Sequence, residues 1–269
     1  MSLPQALQPD WPAPAGITAL MSSRAGGISL APFDSLNLRP AALSAPGDAL
    51  ADRPDAITEN QRRFAQALGA APVWLDQVHG AVVLRLSAES LQPGARPPQA
   101  DASVCTTPGI ACAVLVADCL PLLLCSRDGS AVAAAHAGWR GLAAGVINNT
   151  VAALCQAAGC GPDQLLAWLG PCIGPAAFEV GADVLLAFGA DLRQPDPALF
   201  VPGPSQHGSP RWHANLPALA RRRLAALGVQ HISGGQHCTL ADASRFFSFR
   251  RDGRSGPTGR MAAAIAIRG

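Results

Sequence analysis

A cysteine and a histidine on facing strands can serve as a nucleophile with its base or as two ligands of one metal ion. The sequence places Cys119 and His136 in that relation. Leu120 to Cys125 and Ala131 to Ala135 are apolar runs of strand length, separated by Arg127-Asp128-Gly129-Ser130. Asp-Gly signals a two-residue hairpin turn, because its central positions need positive φ. With Asp128 and Gly129 as the turn, Arg127 faces Ser130, Cys119 faces Gly138 and His136 faces Pro121. Side chains alternate along a strand, so Cys119 and His136 share one face as diagonal neighbours, with Cβ atoms roughly 7–8 Å apart. Pro121 has no N–H for the ladder and is expected to disturb the pairing locally. The plain alternative is a buried thiol beside a satisfied core histidine. Against it, Asp118-Cys119 ends an apolar run and His136 precedes Ala-Gly-Trp-Arg-Gly at a helix opening. Sites concentrate at such element ends.

The elements that hold this pair alternate irregularly. Ile110 to Ala117 reads as a strand leading to Cys119, Gly141 to Ala158 as a helix ended by Gly159, and Leu165 to Leu169 as a strand running into Gly170-Pro171-Cys172-Ile173-Gly174. Upstream, Ala56 to Gly69 has helical spacing, Val73 to Leu86 is strand-like with Gln77, His79 and Gly80 in its middle, and Asn37–Asp55 and Gln92–Gln99 read as loops. Downstream, Asp183 to Phe188 and Leu216 to Leu227 read as helices, Asp191 to Pro210 as loop, and Phe246 to Arg251 and Arg260 to Ile267 as strands. Without regular βαβ alternation this pattern favours an α+β domain with mixed sheets. One domain is expected over residues 1–269, with 1–15 loosely ordered.

Composition narrows the function classes. The 269 residues are 49% hydrophobic and 14% charged, with a net charge of +2. Extended disorder is excluded, and a nucleic-acid binder would normally carry a strong basic surplus. Every basic residue is Arg and Tyr is absent, so Schiff-base lysine, P-loop lysine and tyrosine acid chemistry are ruled out. The longest apolar run, Gly109 to Cys125, contains Asp118 and Pro121 and is too short and broken to span a bilayer. Met1 to Pro14 lacks the pattern of a signal peptide. A cytoplasmic location, with no membrane or protein partner, is therefore the expectation, and the eight cysteines are not read as a disulfide framework.

An ordered set of motifs carries a family resemblance: Gln77-Val78-His79-Gly80, Ala117-Asp118-Cys119-Leu120-Pro121, His136-Ala137-Gly138-Trp139-Arg140-Gly141, Gly170-Pro171-Cys172-Ile173-Gly174, Phe178-Glu179-Val180-Gly181, Cys238-Thr239, Phe246-Phe247-Ser248-Phe249-Arg250-Arg251 and Thr258-Gly259-Arg260. From about Arg24-Ala25-Gly26-Gly27 to its end the chain resembles the YfiH-like, laccase-domain (polyphenol oxidase-like) family of purine nucleoside phosphorylases. Gly47-Asp48 alone remains of a longer family motif, and Asn215 stands where many relatives have Asp.

The resemblance implies a layered α/β/β/α sandwich and a zinc site of His79, Cys119 and His136, His79 resting on resemblance alone. It also implies phosphorolysis of adenosine, inosine and S-methyl-5′-thioadenosine with inorganic phosphate as co-substrate, and adenosine deamination. Arg140, Arg24, Arg250 and Arg260 lie in matched motifs and suit phosphate by their forked guanidinium groups. Arg140 ranks first, four residues after His136 at a helix opening. Asp118 is read as a partner orienting a ligand histidine, a general base or a turn cap. Three rival readings stand beside this one: a metal-free Cys–His hydrolase editing peptidoglycan precursors, a copper-dependent polyphenol oxidase, and a non-catalytic metal-binding protein.

Overall fold

Strand alternation sorts the interior into three apolar layers. A computed structural model describes residues 3–45, 51–92, 95–206, 208–253 and 256–269; Gly47-Asp48 and His207 lie outside the described residues. In β5 (Ile110–Val116) and β13 (Met261–Ile267), Cys112, Val114, Val116, Ala263 and Ile265 face one way. They meet Leu123 and Cys125 of β6 (Leu120–Ser126) and Val132 and Ala134 of β7 (Val132–Ala137). The intervening Ala111, Ala113, Leu115, Ala262 and Ala264 pack on Phe64 and Leu68 of α1 (Pro54–Leu68). Leu120, Leu122 and Leu124 of β6 turn the other way, onto Ile147, Val151 and Leu154 of α3 (Val146–Ala158) and Leu219 and Leu224 of α5 (Leu216–Ala226). The order is thus helix, sheet, sheet, helix, as the resemblance implied. Because both faces of each central strand are covered, β6 can run as consecutive leucines, each contributing about 1.5–3 kcal/mol on burial.

The smaller central sheet orders β1 (Ile17–Met21), β13, β5 and β2 (Ala71–Val73). The larger orders β12 (His231–Gly234), β8 (Leu165–Leu169), β6, β7, β4 (Ala102–Cys105) and β3 (Val83–Leu86). Each sheet mixes parallel and antiparallel pairs. A third, three-stranded sheet joins β10 (Phe200–Gln206), β11 (Ser209–Ala214) and β9 (Glu179–Val180).

The β6–β7 register is the one derived from the turn: Leu120 faces Ala137, Pro121 faces His136 and Cys125 faces Val132. The loop itself is wider than two residues. Ser126 N–H donates to Ala131 O and Gly129 N–H to Ser126 O, and within this loop only Gly129 takes a positive φ, 74°. One extra residue on each side leaves the register unchanged. Pro121 does not disturb it either. A residue's N–H and C=O point to the same neighbouring strand, and Pro121 O accepts from Gly170 N at 2.9 Å. The missing donor therefore faces the far side, where β8 has already ended at Leu169.

Other expectations are corrected. Val73–Leu86 is two strands in different sheets, β2 and β3, joined by an irregular segment that carries Gln77, His79 and Gly80. The helix read from Gly141 to Ala158 is broken at Gly145, whose φ of 93° ends α2 (Trp139–Ala143) before α3 begins. The Asp191–Pro210 loop contains β10 and the start of β11; the irregular pairing between Gly203 and Gln206 tolerates Pro204, and Pro202, paired with Trp212, is tolerated because β10 is an edge strand. Phe246–Arg251 is not a strand: Ser248 Oγ accepts from Arg251 N and caps the short helix α6 (Phe249–Asp252). Part of the Asn37–Asp55 loop is core, with Asn37 and Leu38 buried. Residues 3–15 are tied down, since Leu7 exchanges two backbone hydrogen bonds with Met21 and Trp11 packs on the inter-sheet core.

Candidate active site

His136 lies on the face of β7 that looks between the two sheets, and Cys119, just before β6, shares that face. The irregular segment between β2 and β3 brings in His79, whose φ of 60° is unusual for a residue with a side chain. The possible ligand atoms of His79, Cys119 and His136 all lie within 4.8 Å of one another. Cys119 Sγ is 3.9 Å from His79 Nε2, and the two imidazoles meet edge-on at 4.8 Å between centroids. His136 is buried, Cys119 half-buried and His79 exposed, so the group opens to solvent on one side. Gly138 faces Cys119 across the hairpin; a Cβ there would stand 2.8 Å from Cys119 Sγ and 3.3 Å from His79 Cδ2. Any larger residue would fill the cradle.

Asp101 holds this arrangement, and sequence reasoning missed it. Fully buried, its carboxylate accepts from His136 Nδ1 at 2.8 Å and from three successive backbone N–H groups, Val78 at 3.2 Å, His79 at 2.9 Å and Gly80 at 2.6 Å. Engaging Nδ1 turns His136 Nε2 toward the cluster and makes it a better ligand. The same carboxylate fixes the segment that bears His79. Burial works against the Asp101 charge, but these hydrogen bonds prevail and hold its pKa below the usual value. Burial likewise opposes the Cys119 thiolate, yet His136 and His79 bring its pKa down to about 6. Burial lowers His136, and the Cys119 and Asp101 charges more than reverse that, raising it to about 9.

Asp118 lines the same cavity as this cluster. Its carboxylate is hydrogen-bonded to neither His79 nor His136. It accepts from Thr239 Oγ1 at 2.6 Å, Ser248 Oγ at 3.0 Å and Arg250 N at 2.7 Å, while its carbonyl accepts from Ile173 N. With φ of 92°, it is a buried clamp joining the β5–β6 turn to the Thr239 and Ser248–Arg250 segments.

The cluster lies in the wall of a cavity of about 370 Å³. Trp139, Phe178 and Phe249 supply its aromatic surface, and Phe249 is 58% exposed. Of the four candidate arginines, Arg140, Arg250 and Arg260 line the cavity, together with Arg39, which the motifs did not reveal. Arg140 is exposed and stacks 4.2 Å from the Trp139 ring centroid. Arg250 donates to Glu179 O. Arg24 is not in the cavity wall: its guanidinium bonds Asp34 and Ala243 O and covers Phe247, a structural use. Cys172 is buried, and burial pushes its pKa well up, leaving an inert thiol.

Two imidazoles and a thiol at this spacing suit zinc, whose nitrogen and sulfur ligands stand about 2.0–2.3 Å from the ion. They form one group of metal-capable donors found among the described residues. No helix among these residues is long and apolar enough to cross a membrane.

Comparison with known proteins agrees along nearly the whole chain. The family model described as "Multi-copper polyphenol oxidoreductase laccase" matches residues 18–268. Purine nucleoside phosphorylase YfiH of Escherichia coli is 48% identical over 259 residues, 96% of each chain. A purine nucleoside phosphorylase of Pseudomonas aeruginosa is also 48% identical, over 96% of this chain and 97% of its own. Among solved structures, a Neisseria meningitidis protein superposes with a TM-score of 0.82 at 44% identity, covering 98% of this chain and 99% of its own. YlmD of Geobacillus stearothermophilus gives 0.80 at 30% identity, covering 95% and 93%. With its fold, its motifs and its full-length relatives in agreement, the chain belongs to the YfiH, laccase-domain family.

Proposed function

We propose that the protein is a zinc-dependent purine nucleoside phosphorylase acting on adenosine, inosine and S-methyl-5′-thioadenosine, with adenosine deaminase activity in the same cavity. One observation carries the reading: three metal-capable donors and four arginines line a single cavity of nucleoside size. Among the described residues none of those four arginines is ion-paired to a carboxylate; those with hydrogen bonds donate to backbone carbonyls. The names of the relatives point the same way.

In phosphorolysis an oxygen of the hydrogen phosphate dianion bonds to C1′ while the C1′–N9 bond breaks; that bond's electron pair leaves with the purine, which takes up the proton the phosphate gives up. The arginine side chains hold the phosphate dianion by charge and by paired N–H donors. Trp139, Phe178 and Phe249 give the purine apolar surface and exclude water from the bond being broken. His79, Cys119 and His136 would hold the zinc, and Asp101 keeps His136 turned toward it. Zinc supplies Lewis acidity and an activated water at neutral pH, the chemistry that replacing the C6 amino group of adenosine by oxygen, with loss of ammonia, requires.

The zinc-loaded protein should release hypoxanthine from inosine and form ribose 1-phosphate only when phosphate is present. Equal base release without phosphate would contradict the reading. The lowered pKa of Cys119 favours one alternative, a Cys–His hydrolase acting on peptidoglycan precursors; such an enzyme would keep its activity after chelation. The family model's description names copper oxidation of phenols. A multi-copper enzyme needs several copper centres, whereas a single group of three such donors is found among the described residues. A non-catalytic metal-binding protein would show no nucleoside turnover at all.

A further inference from the structure

We infer that Arg39 and Arg260 together form the anion subsite of the cavity and take a phosphate dianion between their guanidinium groups. The inference rests on the phosphorolysis reading only for the identity of the anion. Arg39 follows Leu38 in the segment before the turn at Ala41–Leu43, and Arg260 immediately precedes β13. Their backbones are interlocked: Leu38 N donates to Arg260 O at 3.0 Å, and Arg260 N donates to Asn37 Oδ1 at 2.9 Å. Flanking Leu38, Pro40, Thr258 and Gly259 are buried. Two chain segments far apart in sequence are thereby pinned so that both cations enter the same cavity wall.

Neither cation is neutralised among the described residues. Arg39 gives Nη2 to Leu43 O, and Arg260 gives Nη1 to the carbonyls of Thr258 and Gly259. These acceptors are neutral, and among the described residues no further hydrogen bond engages the remaining N–H groups of either fork. Elsewhere the fold pairs arginines closely with acids, as in Arg245–Asp242 at 2.6 Å, Arg251–Asp252 at 2.7 Å and Arg63–Glu59 at 2.7 Å. Adjacent cations without a counter-ion in a partly buried wall are unfavourable. Burial, and then the Arg39 charge, hold Arg260 below the usual arginine pKa. An anion bound between them removes both penalties, and two planar forks match the oxygens of a tetrahedral dianion. Arg140, the stronger candidate from sequence, is exposed and stacked on Trp139. Arg250, whose Nη1 likewise meets a backbone carbonyl, Glu179 O, sits on α6 and not on the two interlocked segments.

Isothermal titration of inorganic phosphate into the zinc-loaded protein tests the subsite without any nucleoside. Arg39→Gln and Arg260→Gln should each weaken phosphate binding about ten- to a hundredfold, with zinc content unchanged. Arg39→Lys, which keeps the charge but loses the fork, should lose less and serves where a glutamine variant fails to fold. Unchanged phosphate affinity in Arg39→Gln and Arg260→Gln, or no phosphate binding by the wild type, would overturn the subsite. The two proposals can fail separately. Phosphate binding that depends on Arg39, without formation of ribose 1-phosphate, leaves the subsite standing and removes phosphorolysis. Ribose 1-phosphate formation with a wild-type KM for phosphate in both glutamine variants does the reverse.

Discussion

Two buried carboxylates flank the cavity and do opposite jobs. Asp101, on the segment leading into β4, grips a donor ring and the three N–H groups around His79. Asp118, adjacent in sequence to Cys119, is hydrogen-bonded to neither histidine and instead ties Thr239, Ser248 and Arg250 to the β5–β6 turn. The remote acid thus shapes the His–Cys–His end, while the neighbouring acid shapes the wall that presents Phe249 and Arg250 to the cavity. Proximity along the chain says little about which ligand a carboxylate serves; the direction of its lone pairs decides.

Substitutions should separate the two ends. Cys119→Ala removes a donor outright and should abolish both zinc retention and nucleoside turnover, read by elemental analysis and by base release. Asp101→Asn should weaken zinc binding about 10–100-fold, measured by competition with a chelating dye, because His136 loses the carboxylate that orients it. Asp118→Asn should leave zinc affinity near wild type. It should instead lower unfolding stability by about 1.5–3 kcal/mol in denaturant titration and raise the KM for substrate, since an amide nitrogen cannot accept from Arg250 N. Equal zinc loss in the two Asp variants would erase the contrast.

The subtlest difference concerns protons. In the metal-free protein Cys119 has its pKa lowered to about 6, so alkylation of this thiol should accelerate as pH rises through about 6. A free thiol would do so near about 8.5. The sign follows for stability: the folded-state preference for the thiolate is fully present above the unfolded-state pKa and is lost as pH falls through about 6. Asp101→Asn should move the alkylation midpoint upward, since His136 is no longer held cationic, whereas Asp118→Asn should not.

The His–Cys–His end was more legible in the sequence than the wall opposite. Asp128-Gly129 fixes the β6–β7 register, and two-residue alternation then places Cys119 and His136 on one face; both follow from local rules. His79 does not follow from them, because its position depends on a left-handed backbone angle stabilised by Asp101. No spacing rule connects Asp101 to residues 78–80 or to His136. Arg39 was hidden in a loop whose burial comes from contacts with Asn60 and Arg260. The Phe246–Arg251 run reads as a strand from its aromatics, but Ser248 and the Asp118 clamp fold it into a helical turn. Long-range hydrogen bonds, invisible to periodicity, decided those cases.

The account stands or falls on whether the three donors close on one ion. Zinc-edge X-ray absorption of the loaded protein should show one sulfur at about 2.3 Å and at least two imidazole nitrogens at about 2.0 Å, with the sulfur shell absent in Cys119→Ala. A spectrum without a sulfur ligand, or one unchanged by Cys119→Ala, would contradict it.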